Sequence, residues 1–476
     1  MMRAATHLGT VCALAFLVSS ASAQQAMLSP PDNHYFVSKG SWGQDHPDQW
    51  ALQRIGFDAS PQSAWRLVKA NAQPVIVAVI DTGLDWAHRN ISVDNLWHNT
   101  GEIDGNRSDD DKNGFVDDII GWNFPERTNK PWDFDGHGTM TAGIIASSWK
   151  DKDGIAGVNP FTKLMILKAV NNFGHTRLFT IAQAIKYAAD NGARVINLSV
   201  GGEGKNAIIQ AAIDYAYARN AVIVAAAGNE DKDVSKSGLA GSDKILTVGA
   251  TGLDDQKAVF SNWGNISVVA PGVDVLSLRA MRTDLILSVE GAKYTASAAF
   301  VGDDKRYYRA SGTSFAAPLV SGLASLMIAN DPSLTNEQVI AIIKSTARDV
   351  GTPGVDQFTG YGIVDARAAL SAPKDYFLYA GIKRVEVVQK GGAQAVRVFG
   401  SADANALKAA RVEIGAGENP TSWKAVGTPK KTAGPEGVLA EIPATNFAGS
   451  PVWQIRVVAT HNSGATREAR FRLKLG

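Results

Sequence analysis

The chain carries a single cysteine, Cys12, so no internal disulfide can staple it. It also lacks net charge. Its 47 lysines and arginines stand against 46 aspartates and glutamates, a formal +1 at pH 7. Nothing in that balance draws nucleic acid or an anionic membrane surface, and neither is expected as a partner. Internal repeats and low-complexity tracts are missing as well, and the composition is 45% hydrophobic and 20% charged over 476 residues. Wholesale disorder and collagen-like structure are thereby excluded. The length suits two or three domains.

One N-terminal stretch stands apart. Arg3 is followed by a short apolar run at 11–18 and by the small residues Ala21-Ser22-Ala23. That order reads as a secretory signal peptide, residues 1–23, cleaved after Ala23. The run is too short to span a bilayer, which takes roughly 20 residues. No other segment is expected to span one either. The product is expected outside the cytoplasm, secreted or held in a periplasm or at a cell surface. Without disulfides, its stability there rests on its core, with bound metal as a further source.

From Val75 the texture changes. Residues 75–80 form a continuous β-branched run ending at Asp81, the pattern of a strand buried on both faces. Similar runs occupy 163–170, 194–200, 221–227 and 245–250. Helical segments at 180–191 and 207–219 lie between them, with Ile181, Ala184, Ile185 and Ala188 on one helix face. This alternation predicts an α/β fold with a doubly wound, mainly parallel sheet. Ligands of such sheets sit beyond the carboxyl ends of the strands. Past Pro373 the pattern turns to short alternating runs at 383–388, 395–399, 410–414 and 453–459, divided by Gly, Pro and Asn. They predict a C-terminal all-β sandwich of the immunoglobulin or fibronectin kind. The expected division is an extension at 24–70, an α/β unit at 71–372 and the sandwich at 373–476.

Four segments carry chemistry. Val79-Ile80-Asp81-Thr82-Gly83 places a carboxylate where a buried strand ends. Asp135-Gly136-His137-Gly138-Thr139 sets a histidine between glycines, which let another backbone come close. Ser311-Gly312-Thr313-Ser314 opens a helix, where free N–H groups and the positive dipole end lie. A lone serine there is usually a cap. Gly228-Asn229-Glu230 follows another buried run.

Together and in this order, the four resemble the catalytic segments of the subtilisin-like serine proteases, the subtilases of peptidase family S8. The resemblance covers roughly residues 49–371. It implies a serine endopeptidase acting on protein or peptide substrates, with Asp81, His137 and Ser314 as the triad. Asn229 then matches the side chain that helps to hold the oxyanion. Ser199, Val200 and Gly201 resemble one wall of the substrate groove. Glu230 is a candidate for favouring a basic side chain before the scissile bond. Two positions depart from the family pattern, Met140 and Leu319, where histidines are common. Neither is a triad member.

Residues 109–118 crowd carboxylates, which repel one another unless a cation lies among them. Asp109, Asp111 and Asn113 offer oxygens at alternating positions, Gly114 makes a turn, Phe115 offers a carbonyl, and Asp117 or Asp118 closes the set. The spacing matches the start of an EF-hand loop but lacks its final Glu, since Ile120 stands there. Calcium in a structural role is the expected ligand. Zinc is disfavoured because no His or Cys joins the cluster.

Two other readings rival the protease. Gly202-Glu203-Gly204-Lys205-Asn206-Ala207 fits the dinucleotide-binding G-x-G-x-x-A pattern, but its strand is not the first of the α/β unit. A calcium-stabilised binding or adhesion protein on a subtilase fold is the other alternative. Intact Asp81, His137, Ser314 and Asn229 argue against it.

Overall fold

The structure is a computed structural model that describes residues 25–200, 206–235, 239, 242–281, 283, 296–427 and 437–475. Residues 1–23, read above as a signal peptide, Gly201 and most of the dinucleotide-like motif lie outside the described residues.

A seven-stranded parallel sheet forms the centre. Its strands are β1 (Val75–Asp81), β2 (Gly121–Asn123), β3 (Thr162–Lys168), β4 (Val195–Leu198), β5 (Val222–Ala226), β6 (Ile245–Thr251) and β7 (Val268–Pro271), in the order β2-β3-β1-β4-β5-β6-β7. Connections run to one side of β1 and then the other, so the sheet is doubly wound. The β-branched runs form strands because both faces are covered. Val77 and Val79 pack into one apolar cluster and Ala78 and Ile80 into the other. Strand β2 is three residues long and carries Trp122, too short a pattern to separate from a loop in the sequence.

One face is covered by the helices Leu178–Asp190 and Ala207–Ala218. The other is covered by His137–Ala146 and by the 18-residue helix Thr313–Asn330. The latter is apolar all round because it runs through the core. Among the described residues it alone is long and apolar enough to cross a membrane, yet 94% of it is buried inside the protein.

The segment ahead of the sheet is built into the same core. Trp65 is fully buried and its indole N–H donates to the Val158 carbonyl at 2.8 Å. The Gln49 side chain bonds both the carbonyl and the N–H of Ala156, each at 2.8 Å. Trp42 donates to Asp274 at 3.2 Å.

The C-terminal strands form two antiparallel sheets. One contains Leu378–Lys390, Ala393–Ala404 and Val438–Pro443; the other contains Leu407–Ala416, Lys424–Gly427, Val452–His461 and Thr466–Lys474. They enclose their own core around Val398, Val412, Ile442 and Val457. Arg467 joins this part to the α/β part. Its buried guanidinium donates to the carbonyls of Tyr361, Ser345 and Ala347 at 2.9–3.0 Å, at the end of the helix Asn336–Thr346.

Candidate functional site

The site lies where the doubly wound topology places it, at the carboxyl ends of β1 and β4. Asp81 is the last residue of β1 and is fully buried. Its Oδ1 meets His137 Nδ1 at 2.7 Å and accepts the Thr82 N–H at 2.7 Å, and its Oδ2 accepts the Thr141 hydroxyl at 3.3 Å. An ionised Asp81 assigns the proton to Nδ1 and leaves Nε2 as the basic nitrogen. Burial opposes the imidazolium, but the charge and hydrogen bond of Asp81 outweigh it. With Asp135 and Asp133 beyond, they hold the His137 pKa above the ordinary histidine value.

Two glycines allow this approach. Gly83, at φ +121°, has the Pro131 carbonyl 2.6 Å from where a Cβ would stand; at Gly138 the Gly83 carbonyl would lie 2.2 Å away. Any side chain at Gly138 would separate the Asp81 turn from the histidine helix.

Asp133, which the sequence pattern did not single out, organises the helix start. Its buried carboxylate accepts the N–H groups of Asp135, Gly136 and Thr139 and the hydroxyls of Thr82 and Thr139, all at 2.7–3.0 Å. An anion at a helix N-terminus is favoured by the free N–H groups and the dipole. Burial pushes the neighbouring Asp135 carboxyl up from its usual range.

Ser314 sits in the first turn of the Thr313–Asn330 helix. Its hydroxyl donates to the Ser199 carbonyl at 3.1 Å, and the Ser199 hydroxyl donates to the Ser314 carbonyl at 3.0 Å. That carbonyl is available because Pro318, four residues on, has no N–H to give it. The Asn229 carbonyl oxygen accepts from Thr313 N–H at 2.8 Å and Thr313 Oγ1 at 2.9 Å. Its amide nitrogen is thereby turned the other way, 3.4 Å from where a Cβ on Gly312 would stand. The sequence places Thr313 in the serine segment, and the structure adds its role as the partner that orients Asn229.

Glu230 is engaged locally. Its Oε2 accepts the Asn229 N–H at 3.1 Å and the Asn262 amide at 2.7 Å, which ties it to the Asn229 loop. Val200 is half-buried beside Ser199, and Gly201 lies outside the described residues. A cleft beside His137 is walled by Asp135, Met140, Arg279, Phe300 and Tyr308.

With this geometry in place, comparison with known proteins is decisive. Residues 72–362 match the model of the Subtilase family. The chain belongs to the subtilase family. It is 33% identical over 322 residues to the thermophilic serine proteinase of Bacillus sp. (strain AK1), covering 66% of this chain and 67% of that one. Against thermitase of Thermoactinomyces vulgaris it is 29% identical over 72% of this chain and 98% of the relative. It spans only 45% of the cell wall-associated protease of Bacillus subtilis, at 29% identity. Among solved structures, a protease of Pseudoalteromonas arctica superposes with a TM-score of 0.53 at 24% identity, over 72% of this chain and 99% of the other. The two structures share the fold. The Bacillus relative is named a serine proteinase, and this chain is a subtilisin-like serine protease by family.

The acidic loop lies apart from this centre. Asp109 and Asp111 come together with Glu102, which precedes the loop, their carboxylate oxygens within 4.8 Å of one another. The Glu102 carboxylate also accepts the N–H groups of Asp110, Asp111 and Asp117 at 2.9–3.1 Å. Asp117 is buried, and its Oδ1 has no hydrogen-bond partner. Asp118 is used differently: Asn99, Asn113 and Tyr187 donate to it, and burial raises its pKa. The Phe115 ring packs on Trp122 and Tyr187.

Proposed function

We propose that this chain is a secreted serine endopeptidase that cleaves protein and peptide substrates through an acyl-enzyme. The observation that carries this reading is the 2.7 Å contact of Asp81 with His137 Nδ1, on the same sheet rim as Ser314. In the reaction the Ser314 hydroxyl turns from the Ser199 carbonyl to His137 Nε2, loses its proton there and attacks the scissile carbonyl. His137 returns that proton to the leaving amine, and Asp81 stabilises the imidazolium and fixes the tautomer. The Asn229 amide and the Ser314 N–H hold the oxyanion. A donor of this kind is worth about 10²–10³ in rate, as measured in a subtilisin. Ser199, Val200 and Gly201 wall the groove, and Glu230 supports the Asn229 loop from within.

The reading divides the chain into a leader at 1–23, an extension at 24–70, the catalytic unit at 71–372 and the sandwich at 373–476. It also includes calcium in the acidic loop. The donor set fits a hard cation: three clustered carboxylates and a buried, unpartnered Asp117 oxygen. Glu102, Asp109, Asp111 and Asp117 would hold it, with Asn113 and Phe115 completing the loop and Asp118 anchoring it. Its contribution would be stability, through selective binding to the folded chain.

The test is casein hydrolysis by the purified protein in calcium buffer, beside Ser314→Ala and a serine-reactive phosphonate. Hydrolysis abolished by both treatments is expected. A folded protein that cleaves nothing and takes no phosphonate on Ser314 would overturn the reading.

A further inference from the structure

Lys168 is the last residue of β3 and is fully buried. It stands opposite Asp81 in the β1–β3 register, with its Cα the partner of Asp81 Cα. An ammonium buried without purpose is costly, and a methionine of similar length would fill the space without that cost. No carboxylate lies within ion-pair distance of it among the described residues. Its Nζ instead donates to the Thr82 carbonyl.

That contact completes a grip on the Asp81 turn. The Ala169 and Val170 N–H groups both donate to the Asp81 carbonyl, at 2.9 and 3.1 Å. Thr82 is then engaged at every polar atom. Its N–H holds Asp81 Oδ1 at 2.7 Å, its hydroxyl donates to Asp133 at 2.9 Å and accepts from Gly138 N–H at 2.8 Å, and its carbonyl accepts from Lys168. The carboxylate facing His137 is thus set by a turn whose far side rests on one buried cation. Burial pulls the Lys168 pKa below the usual lysine value, while Asp133, Glu126, Asp135 and Asp81 pull it back up.

We propose that Lys168 is a positioning residue for Asp81: its ammonium pins the Thr82 carbonyl and serves as the shared counter-charge of Asp81, Asp133 and Asp135. The inference rests on the triad reading above. Arg279 and Tyr308 line the cleft beside His137, while Asp133, Glu126, Asp135 and Asp81 attract the charge of Lys168 from beyond ion-pair distance. Its charge works against the imidazolium, so removing it favours protonated His137.

The experiment compares Lys168→Met, Lys168→Gln and Lys168→Arg with the wild-type protein in steady-state peptide hydrolysis from pH 5 to 9. Lys168→Met is expected to lower kcat by on the order of 10²-fold through misplacement of the turn, with KM nearly unchanged. The acid limb of kcat/KM is expected to move up by about one unit. Lys168→Gln keeps an N–H donor on a side chain one bond shorter and carries no charge, so it moves the acid limb with a smaller loss of kcat than Lys168→Met. Lys168→Arg restores the limb. If Lys168→Met does not fold, the Gln and Arg pair decides. A folded Lys168→Met or Lys168→Gln with an unmoved or lowered acid limb would overturn the proposal. An inactive wild-type protein would instead sink the protease reading beneath it.

Discussion

Ser199 and Ser314 exchange hydrogen bonds: each hydroxyl donates to the other residue's carbonyl, at 3.0 and 3.1 Å. The pair ties the end of β4 to the first turn of the central helix. Pro318 makes this necessary, because it leaves the Ser314 carbonyl without a helical donor. In Ser199→Ala that buried carbonyl is stranded, at a cost of about 1–3 kcal/mol. The expected result is a lower unfolding temperature and a lower kcat, with phosphonate labelling of Ser314 slowed but present. Unchanged melting and unchanged kcat would mean the exchange carries no weight.

The pH profile follows from His137. Its pKa is raised in the folded protein by Asp81, and catalysis needs the neutral form. The acid limb of kcat/KM should therefore fall above pH 6.5, the ordinary histidine value. The same group contributes stability below its unfolded pKa, and that contribution is lost as pH rises through the folded value. Asp81→Asn should move the limb down and reduce kcat severely. A wild-type limb below pH 6 would contradict the geometry.

The parts of this site that form contiguous strings were legible in the sequence. Asp81-Thr82-Gly83, Gly136-His137-Gly138, Gly228-Asn229 and Gly312-Thr313-Ser314 need glycines and small residues where backbones meet, and that need shows in one dimension. Strand positions were legible for the same reason: β1, β3, β5 and β6 are buried on both faces, so their runs are unbroken. Asp133, Lys168 and Glu102 were not legible. Each acts across strand ends or loops, and each sits among residues with no pattern of their own. Lys168 resembles any charged strand terminus until Thr82 is found above it.

Asp133 should be as sensitive as the triad. Its carboxylate takes five donors from two segments, and Asp133→Ala leaves them unpaired in a buried place. The loss is roughly 3 kcal/mol or more. Differential scanning calorimetry should show the drop, and kcat should fall because the histidine helix loses its anchor. Asp133→Asn keeps part of the acceptor set and should lie between the two.

Arg467 makes a prediction about the sandwich. Its guanidinium serves four carbonyls, those of Lys344, Ser345 and Ala347 around the end of the Asn336–Thr346 helix and that of Tyr361. Cations suit a helix C-terminus, and this one also bridges two parts of the chain. Arg467→Ala strands those carbonyls, at about 2–4 kcal/mol. The expected calorimetric trace separates into two transitions, the sandwich melting first, while hydrolysis at low temperature is kept. One transition at the wild-type temperature would show that the interface does not depend on this side chain.

The acidic loop can be tested without any catalytic readout. Glu102, Asp109 and Asp111 hold three carboxylates together, and Asp117 keeps a buried oxygen without a partner. Repulsion inside that set weakens the folded state unless a cation relieves it. A chelator should therefore lower the unfolding temperature, and calcium should restore it with a concentration dependence. At a calcium level of about 100 times the Kd, the gain is about 2.7 kcal/mol. Glu102→Gln removes one charge and keeps one oxygen for the N–H groups of Asp110 and Asp111, but its amide NH2 cannot accept the Asp117 N–H that the second carboxylate oxygen holds. It should therefore weaken the response of the unfolding temperature to calcium, on top of a calcium-independent loss from the stranded Asp117 N–H. The calcium response, taken as the difference between the chelated and calcium-loaded protein, separates the two effects. A chelator-insensitive unfolding temperature, with Glu102→Gln behaving as wild type, would assign the loop to solvation alone.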